Sequence, residues 1–327
     1  MNIKKGFNFI ISASLAVSIL ATSCAKDQKI DVDDIEKEII NAHIKVVHKD
    51  TLKPLSSGVY VLTEKKGTGK EIKKNNSVYV RYSTLNLNGN YVTTSREEIA
   101  KQVGGFAYSN YYGPVLFEMN NYTLIKGVEE ALMGKKEGAI IQVIVPTWAS
   151  EYDYPKSNRV HSSPIIYHIE VVKVIEDFPQ YELDTLQRYS NLHFDGLDSL
   201  KKGYYFTKLL TTESDSVKAG SSIRYNYVGR LLNGFVFDTN IEDTARKYRI
   251  YNSQKSYSPI QFEVHEVGQP SSSGESVVNG FAQTLLNMRY GERAITFFGS
   301  DWGYGSANQS FGKKQQLQFF IEVLPKQ

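Results

Sequence analysis

Few residues in this sequence could carry reactive chemistry, and most of those fail on type or spacing. Cys24 is the single cysteine in 327 residues, so nothing after it can form a disulfide, a thiolate metal site or a thiol nucleophile. The histidines are His43, His48, His161, His168, His193 and His265. They show neither H-E-x-x-H nor paired spacing and read as isolated surface or strand residues. Gly67-Thr68-Gly69-Lys70 lacks the upstream glycine of a phosphate loop and has Glu71 where Ser or Thr is needed. No metal and no cofactor is expected. A formal net charge of +3, from 38 basic and 35 acidic residues, supplies no excess of cations for nucleic acid.

Cys24 has a context of its own. Lys4 and Lys5 precede an apolar run from Phe7 to Ala21, followed by small residues, the layout of a secretory leader. The run is interrupted by serines and is short for the roughly 20 apolar residues that span a bilayer. Ala21-Thr22-Ser23-Cys24 resembles the cleavage box of bacterial, Bacteroidetes-like lipoproteins. That resemblance implies lipid attachment at Cys24, a membrane anchor, and a mature chain in the cell envelope, at the outer membrane and facing the periplasm or the cell surface.

The elements behind the anchor come in duplicate. Leu232–Thr239 reads L-N-G-F-V-F-D-T, and Leu87–Thr94 reads L-N-G-N-Y-V-T-T. Gly89 with Gly234 sets an offset that also aligns Gly58 with Gly203, Tyr60 with Tyr205, Tyr82 with Tyr227 and Pro114 with Pro259. Both copies show alternating strands, around 58–63, 78–82, 140–145 and 165–174, then 204–210, 223–228, 294–298 and 317–324. A short helix follows Ile125-Lys126-Gly127 in one copy, with Gly138 as its cap, and Val278-Asn279-Gly280 in the other. Phe281, Leu285 and Met288 form one apolar stripe there. Amphipathic helices are expected at 31–47, with Ile35, Ile39, Ile40, Ile44 and Val47 as the apolar face, and near 181–192.

The fold expected is α+β: two tandem domains, each a twisted antiparallel sheet wrapped on one short helix, with short N-terminal helices. The boundaries are 1–24 for the leader, 25–57 for the anchor linker and first helix, 58–176 and 177–327 for the domains. Tyr108, Tyr111 and Tyr112 cluster in a long loop of the first copy, as a contact surface or as cover for a core edge.

The second copy resembles the FKBP-type peptidyl-prolyl isomerases over about residues 203–325. The motifs run in the family's order: Y-N-Y-V-G, L-N-G-F-V-F-D, S-P-I-Q-F, V-V-N-G-F, Y-G-E-R-A, D-W-G-Y-G and L-Q-F-F-I-E-V-L. The resemblance implies two domains of that family and an aromatic cleft for a proline ring. Tyr227, Phe237, Asp238 and Tyr304 would be its catalytic residues, and Ile260, Val277, Val278, Phe281 and Phe319 its substrate-binding ones. Phe281 stands where the family commonly has Trp, and Ser306–Gln316 lacks the usual Ile-rich overhang. The first copy keeps Tyr82, Ile125 and Tyr167 but has Val92-Thr93 for Phe-Asp, Val128 for the floor aromatic and W-A-S-E-Y for W-G-Y-G.

What the resemblance implies is a peptidyl-prolyl cis-trans isomerase active in its second domain. Proline-containing polypeptides are its expected partners, and exported proteins the clients it helps to fold. A non-catalytic alternative stays open, in which both folds serve as binding or assembly modules in an envelope apparatus such as a gliding machinery.

Overall fold

The computed structural model describes residues 32–119, 124–150, 163–270, 274 and 276–326. The leader with Cys24, His161, and Glu151 and Tyr152 of the W-A-S-E-Y segment lie outside them. The first copy comprises α1 (Val32–His48), β1 (Tyr60–Lys65), β2 (Ser77–Leu85), β3 (Tyr91–Thr94), α2 (Glu97–Gln102), β4 (Val115–Glu118), α3 (Lys126–Leu132), β5 (Ile140–Val145) and β6 (Ile165–Ile175). The second comprises α4 (Phe178–His193), β7 (Tyr204–Leu210), β8 (Ser222–Leu231), β9 (Val236–Thr239), α5 (Glu242–Lys247), β10 (Ile260–Glu263), α6 (Asn279–Leu286), β11 (Arg293–Phe298) and β12 (Leu317–Val323).

Each copy is an antiparallel sheet with the same strand order, the α+β unit the sequence predicts. In the first, β1-β5-β6-β2 run side by side and both β3 and β4 pair with β2; in the second, β7-β11-β12-β8 run side by side and both β9 and β10 pair with β8. The sequence offset survives as strand register: Ser83 faces Thr94 and Thr84 faces Thr93, while Val228 faces Thr239 and Gly229 faces Asp238. Alternation puts Val78 and Val80 into one core and Ile223 and Tyr225 into the other.

The short helix closes each core. On α6, Phe281 and Leu285 are buried, with Met288 just beyond its end. The helix can sit this low because Gly280 has no side chain: a Cβ there would stand 2.3 Å from the Phe298 ring. In the first copy a Cβ on Gly127 would stand 2.5 Å from Val59. The end of α3 departs from expectation. Gly134, at φ +75°, follows it, whereas Gly138 belongs to the turn into β5.

Helix α1 buries only part of the face predicted for it. Ile40 and Ile44 are buried in α1, but Ile35, Ile39 and Val47 are exposed. The third buried position of the stripe is Glu36, whose carboxylate accepts from the Thr147 N–H at 2.9 Å and from the Thr147 hydroxyl. The same device recurs on α4, where Phe178, Glu182, Leu186 and Ser190 are buried. Glu182 accepts from the Ser300 N–H at 3.0 Å and the Ser300 hydroxyl at 2.8 Å. Each glutamate thus caps a 3-10 turn, Thr147–Ala149 or Ser300–Trp302. A hydrophobicity pattern cannot find such a residue, because it scores Glu as solvent-facing.

The copies touch. Between β6 and α4 stand only Glu176 and Asp177, the latter capping the Gln180 N–H. Leu116, Ile175 and Phe178 are buried together, with Tyr79 and Tyr181 packed on them. Tyr111 lies 5.4 Å from Phe235 and accepts from Asn233 at 3.3 Å. The Arg249 guanidinium sits over the Tyr108 ring and donates to its hydroxyl. The tyrosine loop of the first copy therefore covers an edge of the second.

Burial raises the Glu182 carboxyl above its ordinary value, with Asp301 adding; the Ser300 bonds and Lys314 oppose. A raised folded value means that this group's contribution to stability is full below the unfolded glutamate range and is lost as pH rises through the folded value. Denaturant titrations of wild type and Glu182→Gln should show that component of the pH dependence in the wild type alone. Parallel curves would contradict the assignment.

Candidate functional site

The site grows from β8, the strand with most neighbours in the second sheet. Alternation places Tyr225 and Tyr227 on its concave side, 6.0 Å apart between ring centroids. The next residue on that side is Gly229. A Cβ on it would lie 2.7 Å from the Phe237 ring and 2.8 Å from the Phe319 ring, so the glycine is what admits both rings. Phe237 and Asp238 come from β9, Phe319 from β12, Phe281 from α6, and Ser276, Val277 and Val278 from the segment entering that helix. Tyr304 follows the Ser300–Trp302 turn.

Together these residues line an open cavity of about 440 Å³. Its base is a set of edge-to-face aromatics. Phe281 meets Phe319 at 5.2 Å and 90°, and Tyr227 at 6.1 Å and 86°; Phe237 meets Phe319 at 5.8 Å and 86°. Such pairs add about 0.5–1.5 kcal/mol each beyond their buried area and fix the ring planes.

One carboxylate stands at the rim. Asp238 accepts from the Tyr227 hydroxyl, the Lys255 ammonium and, at 2.9 Å, the Thr239 N–H. Burial first, then the Asp238 bond and charge, push the Tyr227 phenol far above its ordinary range. Burial and Asp238 also raise Tyr304. Both phenols therefore keep their protons at neutral pH. The Tyr227 proton is already given to Asp238, while the half-exposed Tyr304 hydroxyl has no hydrogen-bond partner among the described residues. Tyr304 is the donor left for a bound carbonyl.

The structure brings Tyr227, Phe237, Asp238, Val277, Val278, Phe281, Tyr304 and Phe319 around one cavity. Ile260 stands beside it, paired with Tyr225 across β10 and β8 and packed on the same core. Sequence reasoning missed Tyr225, although the Y-N-Y alternation points to it. It also missed Lys255 and Phe311, which reach the site from loops and leave no spacing signal. Ser306–Gln316 has no Ile-rich overhang, but its buried Phe311 ring lies 4.7 Å from Phe237. His265 is a correction, being buried rather than at the surface. Its Nε2 accepts from the Val277 N–H at 3.3 Å and its Nδ1 faces the Glu266 carbonyl at 2.9 Å, which holds the segment entering α6.

At the matching register the first copy has a smaller cavity, about 300 Å³, lined by Tyr82, Val115, Phe117 and Leu124 together with residues of the second copy. Thr84 takes the place of Gly229, and its hydroxyl bonds that of Thr93 at 2.8 Å. Val92, in the place of Phe237, is exposed, and Val128 is wholly buried. Tyr82 and Tyr167 stack at 6.4 Å, with burial raising the Tyr167 phenol to about 12. A larger crevice of about 550 Å³ lies between α1 and the first domain, against Trp148 and Tyr60; it has none of the convergent aromatics of the second copy. Among the described residues no group of three potential metal ligands occurs, and no helix is long and apolar enough to cross a membrane.

The sequence model of the FKBP-type peptidyl-prolyl cis-trans isomerases matches residues 69–172 and 213–324, more than half of the chain and once in each copy. The chain belongs to that family. A short-type peptidyl-prolyl cis-trans isomerase of the archaeon Methanocaldococcus jannaschii is 30% identical over 107 residues, which are 33% of this chain and 62% of that protein. Among solved structures, the three FKBP domains of wheat FKBP73 are 14% identical, with 84% of this chain and 98% of that one covered at a TM-score of 0.29. FkpA from Escherichia coli is 17% identical over 45% of this chain and 58% of that one, at 0.34.

Gly229→Ala should push Phe237 and Phe319 apart and destabilise the protein by about 1–3 kcal/mol through overpacking. Gly105→Ala, where the nearest atom to the new Cβ is Val103 at 3.9 Å, is the control in the same denaturation experiment. Equal stability of the two variants would show that the rings do not depend on the glycine.

Proposed function

We propose that the protein is a peptidyl-prolyl cis-trans isomerase that acts through the cleft of its second domain. The observation that carries this is the cavity in which Phe237, Phe281 and Phe319 form apolar walls while Tyr304 keeps a free donor. Rotation about an X-Pro amide meets a barrier of roughly 18–20 kcal/mol and takes tens of seconds or more unaided. No acid, base or nucleophile is needed to lower it. At the twisted transition state the amide loses resonance and much of its charge separation, so an apolar cleft favours that state over the planar one. Each 1.36 kcal/mol of such preference is about tenfold in rate.

The residues divide the work. The aromatic walls receive the proline ring and exclude water. Tyr304 donates to a substrate carbonyl and so holds one side of the rotating bond. Asp238, itself held by Tyr227 and Lys255, keeps the rim of the cleft in shape. The first domain, with Thr84, Val92 and Val128 in place of the pocket residues, is non-catalytic. Proline-containing segments of exported proteins are the substrates, and a lipid on Cys24 holds the protein at the cell envelope, at the outer membrane. Support for that anchor is the small-residue box before the only cysteine. The competing reading, a binding or assembly module, has on its side the filled pocket position of the first domain.

In a proline-peptide isomerisation assay on the full chain, Tyr304→Phe should lower kcat/KM by an amount corresponding to about 1 kcal/mol. Phe237→Ala should lower it further, with melting curves to separate lost activity from lost folding. A wild type that binds such peptides without turnover would favour the binding module. Separately, Cys24→Ser should abolish lipid labelling and membrane pelleting; unchanged labelling would remove the anchor.

A further inference from the structure

The segment 306–316, between the Ser300–Trp302 turn and β12, touches the clefts of both domains. On one side the Phe311 ring packs on Phe237 at 4.7 Å and on Tyr304 at 6.0 Å. On the other, Ser306, Asn308 and Gly312 face Tyr82 and Phe117 of the first domain around a cavity of about 300 Å³. Tyr82 is the counterpart of Tyr227, so the segment lies in the groove that corresponds to the second domain's cleft.

An ion triad fixes it there. Lys313 and Lys314 each reach a different oxygen of Glu118, at the end of β4, at 2.5 Å. The side chains of Glu118 and Lys313 are 13% and 15% exposed, which removes most of the solvent screening that weakens surface pairs. Burial by itself would raise the Glu118 carboxyl, yet the two lysines more than offset it and hold it below its ordinary value. Lys314 also lies over the Phe178 ring at 5.3 Å. Among the described residues the backbone of the segment is tied locally, by Ala307 N–H to the Tyr304 carbonyl, Gly312 N–H to the Gln309 carbonyl and Lys314 N–H to the Gly305 carbonyl. Without Glu118, the two neighbouring, largely buried ammonium groups would lose the carboxylate they share, and the hold on the segment would weaken.

We propose that the groove of the first domain is a socket for the 306–316 segment of the second. Glu118, by gripping Lys313 and Lys314, sets the position of Phe311 and with it the width of the second domain's cleft. Glu118 is a positioning residue; it touches no substrate. The second half of this proposal rests on that cleft being the substrate site. The duplicated pocket position was thus given over to holding its neighbour's wall.

The test is Glu118→Gln in the full chain, with two readouts: hydrogen exchange of the 306–316 amides, and kcat and KM for a proline-containing peptide. Faster exchange there, with KM raised about tenfold and kcat changed less, is the expected result. Lys313→Met with Lys314→Met should reproduce it, and it stands in if the Glu118 variant fails to fold. Unchanged exchange would overturn the socket. Faster exchange with unchanged kcat and KM would overturn the link to the cleft. A wild type without turnover, whose segment still loosens in Glu118→Gln, would support the socket and refute the isomerase reading.

Discussion

Each domain depends on one close approach, that of a short helix to the core face of its antiparallel sheet. The second residue of the helix is a glycine, Gly127 or Gly280, where any side chain would run into Val59 or the Phe298 ring. Seated this low, α6 delivers Phe281 and Leu285 into the core as buried residues. In the second domain the same seating leaves Phe281 as the floor of a cavity rather than the centre of a filled core. A helix held farther off would leave a void that cores of native density do not tolerate. Helices this short have little stability of their own, so the sheet and the helix must form together.

The two copies share this scaffold and part company at single positions in register. Gly229 has Phe237 and Phe319 against its bare backbone, whereas Thr84 at the same place carries a side chain that bonds Thr93. One added side chain there is incompatible with a ring in the position of Phe237, and Val92 is exposed accordingly. Phe281 and Val128 differ in the same sense. With the larger residue the cleft has an aromatic floor, and with the smaller one the side chain disappears into the core. The differences are therefore correlated by sterics.

The domains are also joined in ways that a tandem repeat does not require. The α4 helix follows β6 almost directly and places Phe178 against Leu116 and Ile175. Tyr111 reaches the hairpin that carries Phe237 and Asp238, Tyr108 reaches Arg249 beyond α5, and Lys313 and Lys314 return to Glu118. Contacts thus run in both directions, from loops of each copy to the other.

Much of this was legible in the sequence. The offset between the copies fixed the strand register, because a period of two allows no slip by one residue without exchanging buried and exposed faces. The strands β5 and β7 have the predicted limits, and eight of the cleft residues implied by motif line one cavity. What the sequence left open belongs to side chains whose environment is set by distant segments. Glu36 and Glu182 look solvent-facing until a 3-10 turn more than a hundred residues away supplies their partners. Ile35 and Ile39 fit a helical stripe as well as Ile40 does, and only the position of the sheet decides which side is buried. Phe311 and Lys255 sit in loops whose course no periodicity reports, and Glu118 acquires its role from lysines of the other domain. Local pattern determined the four long strands of each sheet, the core helices and their order, but not β4, β10 or the short helices α2 and α5, since propensity and alternation act over a few residues. Tertiary structure decided the caps, the rim and the contacts between domains, because burial and charge pairing depend on distances in space rather than along the chain.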